Sequence, residues 1–316
     1  MKKNPSIITV GLSPAWDITC RGKNLNWGRH ENIDEQTITP AGKALNVSKA
    51  LAWMGQKSIA AGLWGRDDYQ RMQKAVRSLW PSIRVKMTAV AGNTRQNITI
   101  IDAAKNKEMH LRSHSQLAHP AALQKLRADL QRLVHKNSIC VFAGAIPADG
   151  LIGDVISTIK ICHKAGVKIV LDTSGPALRK IIDTGHIWLV KPNVRELAEL
   201  VGGPIEDRST TLAHAGKRLL GKVEIILISR GEKGAIVVTK NDVWEGKCTS
   251  RKKALSTVGC GDYLLAGFLK GMTETKNAPS ALETAIKTAA AKAWGLMQTE
   301  RWPHLSKQIE VKLRQI

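Results

Sequence analysis

Apolar residues fall along this chain in two textures. The first is nearly continuous: Ile7–Leu12, Ser58–Leu63, Ile139–Ala143, Ile169–Leu171, Ile187–Val190 and Ile225–Ile228 are short runs with little polar interruption, the pattern of strands buried on both faces. Between them lie stretches with helical spacing: Ala44–Met54 (stopped by Gly55), Asp67–Leu79, Leu151–Ala165 and Leu212–Leu220, then Asp262–Lys270 and Ala281–Met297 near the end. Strand-then-helix alternation implies parallel pairing with right-handed crossovers, hence a layered α/β sheet covered on both faces. The second texture is polar with β-branched positions. It includes Ile33, Thr37, Ile38 and Thr39, and the short alternating segments Arg84–Val90, Gln96–Asp102 and Glu108–Arg112, joined by Gly92-Asn93 and Lys105-Asn106. These predict hairpins, as does Gly234–Cys248. The expected architecture is one α/β domain over residues 1–316, with a mostly parallel central sheet and a small β lid made from about 14–39 and 84–112.

Composition narrows the function classes. The balance of 48 Lys+Arg against 26 Asp+Glu, a formal charge of +22, favours anionic partners without saying which anion. The basic residues are scattered, with only short clusters such as Arg251-Lys252-Lys253, so nucleic acid is not the expected partner and small phosphorylated molecules fit better. The cysteines Cys20, Cys140, Cys162, Cys248 and Cys260 are odd in number and irregularly spaced, which suits neither a disulfide framework nor a zinc site. A reducing cytoplasm is the expected setting. No stretch approaches the ~20 apolar residues a membrane span needs. His110, His114 and His119 have suggestive spacing but no carboxylate or cysteine companions, and read as exposed lid residues. The nine tryptophans, against two Phe and two Tyr, have no explanation in the sequence.

Ligands of layered α/β sheets bind beyond the carboxyl ends of the strands, so the segments after each predicted strand carry the chemistry. Thr257-Val258-Gly259-Cys260-Gly261-Asp262 leads into an apolar helix. Gly259 and Gly261 allow close backbone approach, and the helix start adds a positive end, which together make an anion hole. Asp262 at that helix start is placed to take a proton from an attacking hydroxyl; a glycine-rich turn with Asp as ordinary N-cap reads the same residues equally well. Lys191-Pro192-Asn193-Val194-Arg195-Glu196 follows another strand. Asn193 and Glu196 could face one hydrated Mg²⁺, with Lys191 on ATP phosphates, or simply form a capping box. Ser229-Arg230-Gly231-Glu232-Lys233-Gly234 follows a third strand and reads alone as a turn.

These motifs, in this order from Ile7 to about Gly295, resemble those of the ribokinase-like carbohydrate kinases, the PfkB family, and within it the branch of 1-phosphofructokinases and tagatose-6-phosphate kinases. The resemblance implies a ribokinase-like α/β/α fold with a β-sheet lid, ATP and Mg²⁺ as cofactors, and phosphorylation of a sugar phosphate. The acceptor it suggests first is fructose 1-phosphate; tagatose 6-phosphate and fructose 6-phosphate stay open. It makes Asp17, in Ser13-Pro14-Ala15-Trp16-Asp17, a sugar contact, and likewise Gly42, Lys43 and Asn46 in Ala41-Gly42-Lys43-Ala44-Leu45-Asn46-Val47. In Thr94-Arg95-Gln96-Asn97 it makes Arg95 the grip on the substrate's own phosphate, beside Asn97. Asp172-Thr173-Ser174-Gly175 also matches. Ser229 and Gly231 fall on nucleotide-phosphate contacts, Gly259, Cys260 and Gly261 on the anion hole and Asp262 on the base. A homodimer formed through the lid is implied as well.

The chain departs from the family pattern on the sugar side. Ala41 and Ala44 replace two loop glycines, Ala143-Gly144-Ala145-Ile146-Pro147 lacks two hydroxyls, and Asn32 stands where an Arg is common, with Arg29 and His30 near it. Cys260 replaces a usual Ala, and its position beside a helix start suggests either a thiol of lowered pKa or a plain small residue. A nucleic-acid-binding protein on a kinase scaffold and a silent sugar-phosphate sensor are the competing readings; the presence of Asp262, Asn193, Glu196 and Lys191 favours catalysis.

Overall fold

The computed structural model describes residues 6–316. In chain order its first half contains β1 (Ile7–Gly11), β2 (Ala15–Gly22), β3 (Glu35–Ala41), α1 (Lys43–Trp53), β4 (Ser58–Gly65), α2 (Tyr69–Leu79), β5 (Ile83–Val85), β6 (Thr88–Val90), β7 (Gln96–Asp102), β8 (Lys107–Arg112), α3 (Pro120–Leu133) and β9 (Ile139–Ala143). The second half contains α4 (Ile152–Lys164), β10 (Lys168–Asp172), α5 (Pro176–Ile182), β11 (Ile187–Val190), α6 (Val194–Val201), α7 (Ser209–Lys217), β12 (Val223–Ser229), β13 (Ala235–Val238), β14 (Val243–Cys248), α8 (Cys260–Thr275), α9 (Ala278–Ala293), α10 (Trp302–Gln308) and β15 (Val311–Gln315).

The large sheet runs β15-β14-β13-β12-β11-β10-β9-β1-β4-β5, with β6 also on β4. Pairing is parallel from β5 to β12 and antiparallel across β13, β14 and β15. Period-two alternation explains why its strands read as continuous apolar runs. Ile8, Phe142, Leu171, Val190 and Ile226 face the core under α3, α4, α5 and α7. Their neighbours Ile7, Val141, Val170, Leu189 and Leu227 face the core under α1, α8 and α9. Both faces are buried, so every position is apolar. Among the described residues no helix is long and apolar enough to cross a membrane.

The second sheet, β3-β2-β7-β8, is the lid. Its β7–β8 hairpin turns at Asn106 with φ 49°, as the Lys105-Asn106 signal predicts. The expected lid segment 84–112 divides, however. Ile83–Val85 and Thr88–Val90 pair with β4 at the edge of the large sheet, so Gly92-Asn93 is a crossing between sheets and not a hairpin. The reason lies in β4. Gly62 has φ +114°, and a β-carbon there would lie 2.1 Å from the Gly11 carbonyl oxygen. This kink turns β4 from β5, paired at 58–60, to β6, paired at 63–65. The alternation of Thr88-Ala89-Val90 is real; burial of Thr88 and Val90 against the frame decides which sheet receives it. The C-terminal α10 and β15 lie beyond the last predicted helix, and β15 closes the sheet edge on β14.

Helix α8, which carries Asp262, is placed by its contact with α9. At Gly267 a β-carbon would sit 2.6 Å from Thr288 Oγ1, 2.7 Å from Ala285 Cα and 2.8 Å from the Thr284 carbonyl oxygen; at Gly271 it would sit 2.5 Å from Ala281 Cα. The two helices pack backbone to backbone. For Gly267→Ala, helix propensity favours alanine by ~1 kcal/mol, while the overlap with backbone atoms costs roughly 1–3 kcal/mol or more. We expect the overlap to win, with a lower urea midpoint at unchanged m-value; an unshifted or raised midpoint would show that α9 slides freely.

Candidate active site

The carboxyl ends of the central strands, with the start of α8 and of α1, bring several predicted residues together. Gly259 is the N-cap of α8 with left-handed φ 78°, a conformation that glycine takes without strain. The Asp262 amide donates to the Gly259 carbonyl at 3.0 Å and the Cys260 amide to Thr257 at 3.3 Å. Among the described residues the amides of Gly259 and Gly261 find no backbone acceptor, so they are the donors left to an anion. A β-carbon at Gly261 would lie 3.4 Å from Lys191 Nζ, which puts that ammonium against the nest.

Asp262 is buried, and Asn46 Nδ2 donates to its Oδ2 at 2.9 Å. Burial, followed by the nearby Asp172 charge, pushes its pKa up to about 6, against the Asn46 hydrogen bond and the Lys43 and Lys191 charges. The ordinary N-cap reading of Asp262 does not hold: Gly259 is the N-cap, and the Asp262 carboxylate accepts from Asn46 of another helix. Asp172 ends β10 with 1% exposure. Lys191 Nζ and Lys43 Nζ approach its Oδ1 as ion pairs at 3.3 and 3.5 Å. Neither has hydrogen-bonding geometry, so both Asp172 oxygens and the Thr173 hydroxyl keep unused bonding capacity in a dry place. Burial works to lower the Lys43 pKa, but Asp172, Asp262 and Glu196 outweigh it and the net shift is upward. Lys43 stays charged.

Lys43 opens α1, whose N-cap Gly42 has φ 123°; a β-carbon there would meet Pro14 Cα at 3.2 Å. Ala44, one of the departures from the family pattern, packs against Gly11, with its Cβ 3.1 Å from where a β-carbon at Gly11 would be. The bare Gly11 makes room for the added methyl. Gly144, φ 109°, donates its amide to the Asp172 carbonyl at 3.0 Å and faces Lys43. Ile146 packs on the core.

The lid supplies a separate chain of contacts. Arg95 Nη1 donates to Asn97 Oδ1 at 2.7 Å, and Asn97 Nδ2 donates to Asp17 Oδ1 at 2.7 Å. Arg95 also reaches the carbonyls of Ser113 at 3.2 Å and Ser13 at 3.3 Å, while its buried Nε has no partner. Thr94 and the Trp16 indole fix this corner through Asp68. Arg29, His30 and Asn32 are exposed in the β2–β3 loop.

On the nucleotide side, Asn193 and Glu196 form a complete capping box: Asn193 Oδ1 accepts from the Glu196 amide and Glu196 Oε2 accepts from the Asn193 amide, both at 2.9 Å. Ser229 donates its amide to the Pro192 carbonyl at 3.0 Å, tying the ends of β11 and β12. Gly231 opens an exposed turn with φ 59°. That turn is anchored by Arg230, which pairs with Asp207 at 2.8 Å and with Glu245 at 2.5 Å.

The sequence missed three charged groups of this region. Asp172 sits in a recognised motif, yet its position between two lysines needed the fold. Lys49, one turn beyond Asn46 on α1, is buried over the Trp80 ring at 4.5 Å, and burial brings its pKa down to about 8. Lys292 of α9 reaches the Gly259 nest from a distant part of the chain. The thiol idea for Cys260 needs correction: burial pushes its pKa up, and the Lys292 charge does not overcome it, so Cys260 is a protonated small residue. His110 bonds Glu108 and Thr99 on the lid, and His119 caps α3. A cavity of about 1030 Å³ opens at the amino ends of β10, β11 and β12, lined by Lys168, His186, Val223 and Lys276 among others; none of the residues above reaches it.

The chain is 28% identical to a 1-phosphofructokinase of Haemophilus influenzae, over 90% of each chain. It is 31% identical to one of Borreliella burgdorferi, over 83% of each. It is 24% identical to a tagatose-6-phosphate kinase of Staphylococcus epidermidis, over 96% of this chain and 99% of that one. The structure of phosphofructokinase-2 from Escherichia coli in complex with potassium superposes with a TM-score of 0.87 at 20% identity, over 97% of each chain, which shares the fold. The sequence pattern of the pfkB family carbohydrate kinases matches residues 7–294, and the chain belongs to that family.

Proposed function

We propose that this protein is an ATP-dependent 1-phosphofructokinase, transferring the γ-phosphoryl group of ATP to a free hydroxyl of fructose 1-phosphate. The observation that carries the reading is the buried Asp262 carboxylate, held by Asn46 at the mouth of a glycine nest flanked by Lys191. As the sugar oxygen attacks the γ-phosphorus, its proton passes to Asp262 Oδ1 or Oδ2. The new O–P bond forms while the bond to the β-phosphate oxygen breaks, and ADP leaves. The amides of Gly259 and Gly261, with Lys191 and Lys43, hold the negative oxygens in a water-poor site where such donors act strongly. Ser229 and the Gly231 turn border the nucleotide phosphates.

Magnesium fits only as a hydrated ion carried on those phosphates. Asn193 and Glu196 each engage a side-chain oxygen in the capping box, and among the described residues no three His, Cys, Asp or Glu side chains gather as a cage. Asp172, whose Oδ1 pairs with two lysines while neither oxygen is hydrogen-bonded, and Glu196 would face its water shell, as magnesium sites built on few carboxylates do. Bound there, the ion would neutralise phosphate charge.

The acceptor side rests on the lid. Asp17 and Asn97 offer paired hydrogen-bonding groups to sugar hydroxyls, and Arg95 a guanidinium to the phosphate already present. The relatives of 28% and 31% identity share the 1-phosphofructokinase name, which favours fructose 1-phosphate. The deciding assay is ATP-coupled turnover on fructose 1-phosphate, fructose 6-phosphate and tagatose 6-phosphate beside free fructose, ribose and adenosine; no turnover on any phosphosugar would remove the proposal. The same reading places the enzyme in the cytoplasm as a single kinase domain, supported by five cysteines free of disulfides. It also pairs two copies through the lid, whose loop exposes Trp27 at 85% and Ile33 at 45%; a monomer in sedimentation velocity would exclude that.

Because the fold raises the Asp262 pKa to about 6 in the free protein, kcat/KM should fall as pH drops through that value and level off above about pH 7. Asp262→Asn should lose at least about a thousandfold in kcat, in line with removal of a general base. The raised pKa also means that ionised Asp262 works against folding at neutral pH, so the variant should melt no lower than wild type. A variant that kept near-normal kcat would show that the base is elsewhere. For Arg95→Ala, KM for the sugar phosphate should rise about 10- to 100-fold while kcat changes far less, the signature of lost ground-state binding; the reverse split would place Arg95 in the transition state.

A further inference from the structure

The last turn of α9 brings Lys292 beside the glycine nest. A β-carbon built at Gly259 would lie 3.6 Å from Lys292 Cε, 3.9 Å from Asp262 Oδ2 and 4.0 Å from Asn46 Nδ2. The lysine stem, the proposed base and the amide that holds the base thus converge on one spot. The ammonium lies 5.6 Å from the centre of the Tyr263 ring, on the residue next to Asp262. Its charge is felt around it: it acts to lower the Cys260 pKa against burial, and it adds to the burial that depresses Lys49.

This placement is unfavourable in the free protein. Lys292 is half-buried, its charge adds to the lowering of the Lys49 pKa, and its stem lies beside the N-cap of a 16-residue helix. Among the described residues it forms no ion pair. A cation set among like charges at a helix start gains most when an anion arrives. The anion this nest receives, on the reading given above, is a phosphoryl group. The bland alternative, a lysine lying on a tyrosine ring to cover apolar surface, accounts for the ring contact. It does not account for the approach to Gly259, where Lys292 Cε would lie in van der Waals contact, 3.6 Å, with an added β-carbon.

We propose that Lys292 is a further phosphate-binding residue of this site, neutralising the oxygens of the transferring phosphoryl group over Gly259–Asp262. The proposal rests on the reading of the site as a phosphoryl-transfer centre. No side chain of the Gly259–Asp262 segment is cationic, so a lysine from α9 adds to the backbone donors a charge that the segment itself lacks. It also couples the α8–α9 packing to the chemistry: a shift of α9 would carry this charge away from the nest.

The test uses the full-length protein with MgATP and the phosphosugar it turns over. Lys292→Met should lower kcat by about 100-fold, the order seen when one oxyanion donor is removed, with KM for the sugar moving less than about threefold and Tm unchanged or higher. Lys292→Arg should keep activity within about tenfold of wild type. In Lys292→Ala, which empties the space, added ammonium or methylammonium should restore part of kcat, with no such gain in wild type. A kcat for Lys292→Met within about threefold of wild type, or a loss that comes with a lower Tm and no rescue by cations, would make Lys292 a packing residue and overturn the proposal. Asp262→Asn measured alongside separates the two readings. An active Asp262→Asn removes the transfer centre itself, whereas an inactive one beside a normal Lys292→Met removes only the role of Lys292.

Discussion

One hydrogen bond, from Asn46 to Asp262, joins the first helix of the chain to its eighth and sets the state of the carboxylate on which the site depends. Two tendencies oppose each other there. Burial favours the neutral acid and brings the pKa up to about 6; the helix start, the Asn46 amide and two lysines favour the anion. A fully solvated aspartate would be too weak a base, and one buried without these partners would stay protonated at neutral pH. The fold supplies the balance from four directions. Gly42 aims α1, β10 and β11 end at Asp172 and Lys191, and α9 presses α8 into place through Gly267 and Gly271.

The electrostatics of the site follow from a shortage of acids. With almost two basic residues for each acidic one, many cations have no carboxylate to meet. Asp172 serves two lysines at once, and Arg230 gathers Asp207 and Glu245 to hold the Gly231 turn. The tryptophans, unexplained in the sequence, take up four of the basic residues that have no ion pair among the described residues. Lys49 lies over Trp80, Arg71 over Trp16, Lys168 over Trp188 and Lys252 over Trp294. An indole face attracts a cation without competing for it as strongly as a carboxylate would. Lys49 shows this near the candidate site: burial brings its pKa down to about 8 against the Asp17 and Asp262 charges, and the Trp80 ring lies 4.5 Å from its ammonium.

The frame of the protein is readable from its apolar runs because both faces of each central strand are buried, and the cores on the two sides are assigned by simple alternation. Reading fails where alternation is the only signal. Thr88-Ala89-Val90 alternates like a lid strand, yet the kink at Gly62 draws it to the frame; no residue in the segment itself carries that information. The capping-box and magnesium readings of Asn193 and Glu196 are alike in sequence, and the geometry shows the capping bonds formed. Lys49, one turn from Asn46 on α1, and Lys292, from the distant α9, are not singled out by the sequence at all. Their role depends on which helices touch, and their surroundings in the sequence are ordinary helical alanines and leucines.

The site is divided between the two sheets, and this division bears on how its specificity can vary. Asp17, Asn97 and Arg95 are bonded to one another on the lid, whereas Asp262, Asn46, Lys43, Asp172 and Lys191 are bonded or paired with one another at the strand ends of the frame. No hydrogen bond or ion pair among the described residues links the first group to the second. A substitution among Asp17, Asn97 and Arg95 therefore breaks no hydrogen bond or ion pair held by the carboxylate or by Asp172. The departures at Asn32, Ala41 and Ala44 fall on or beside the lid and its connection, and Ala44 is absorbed by the bare Gly11 beneath it. Two groups of polar contacts, one on each sheet and unlinked to each other, can vary independently in sequence, in a chain similar to relatives that bear the names of different phosphosugar kinases.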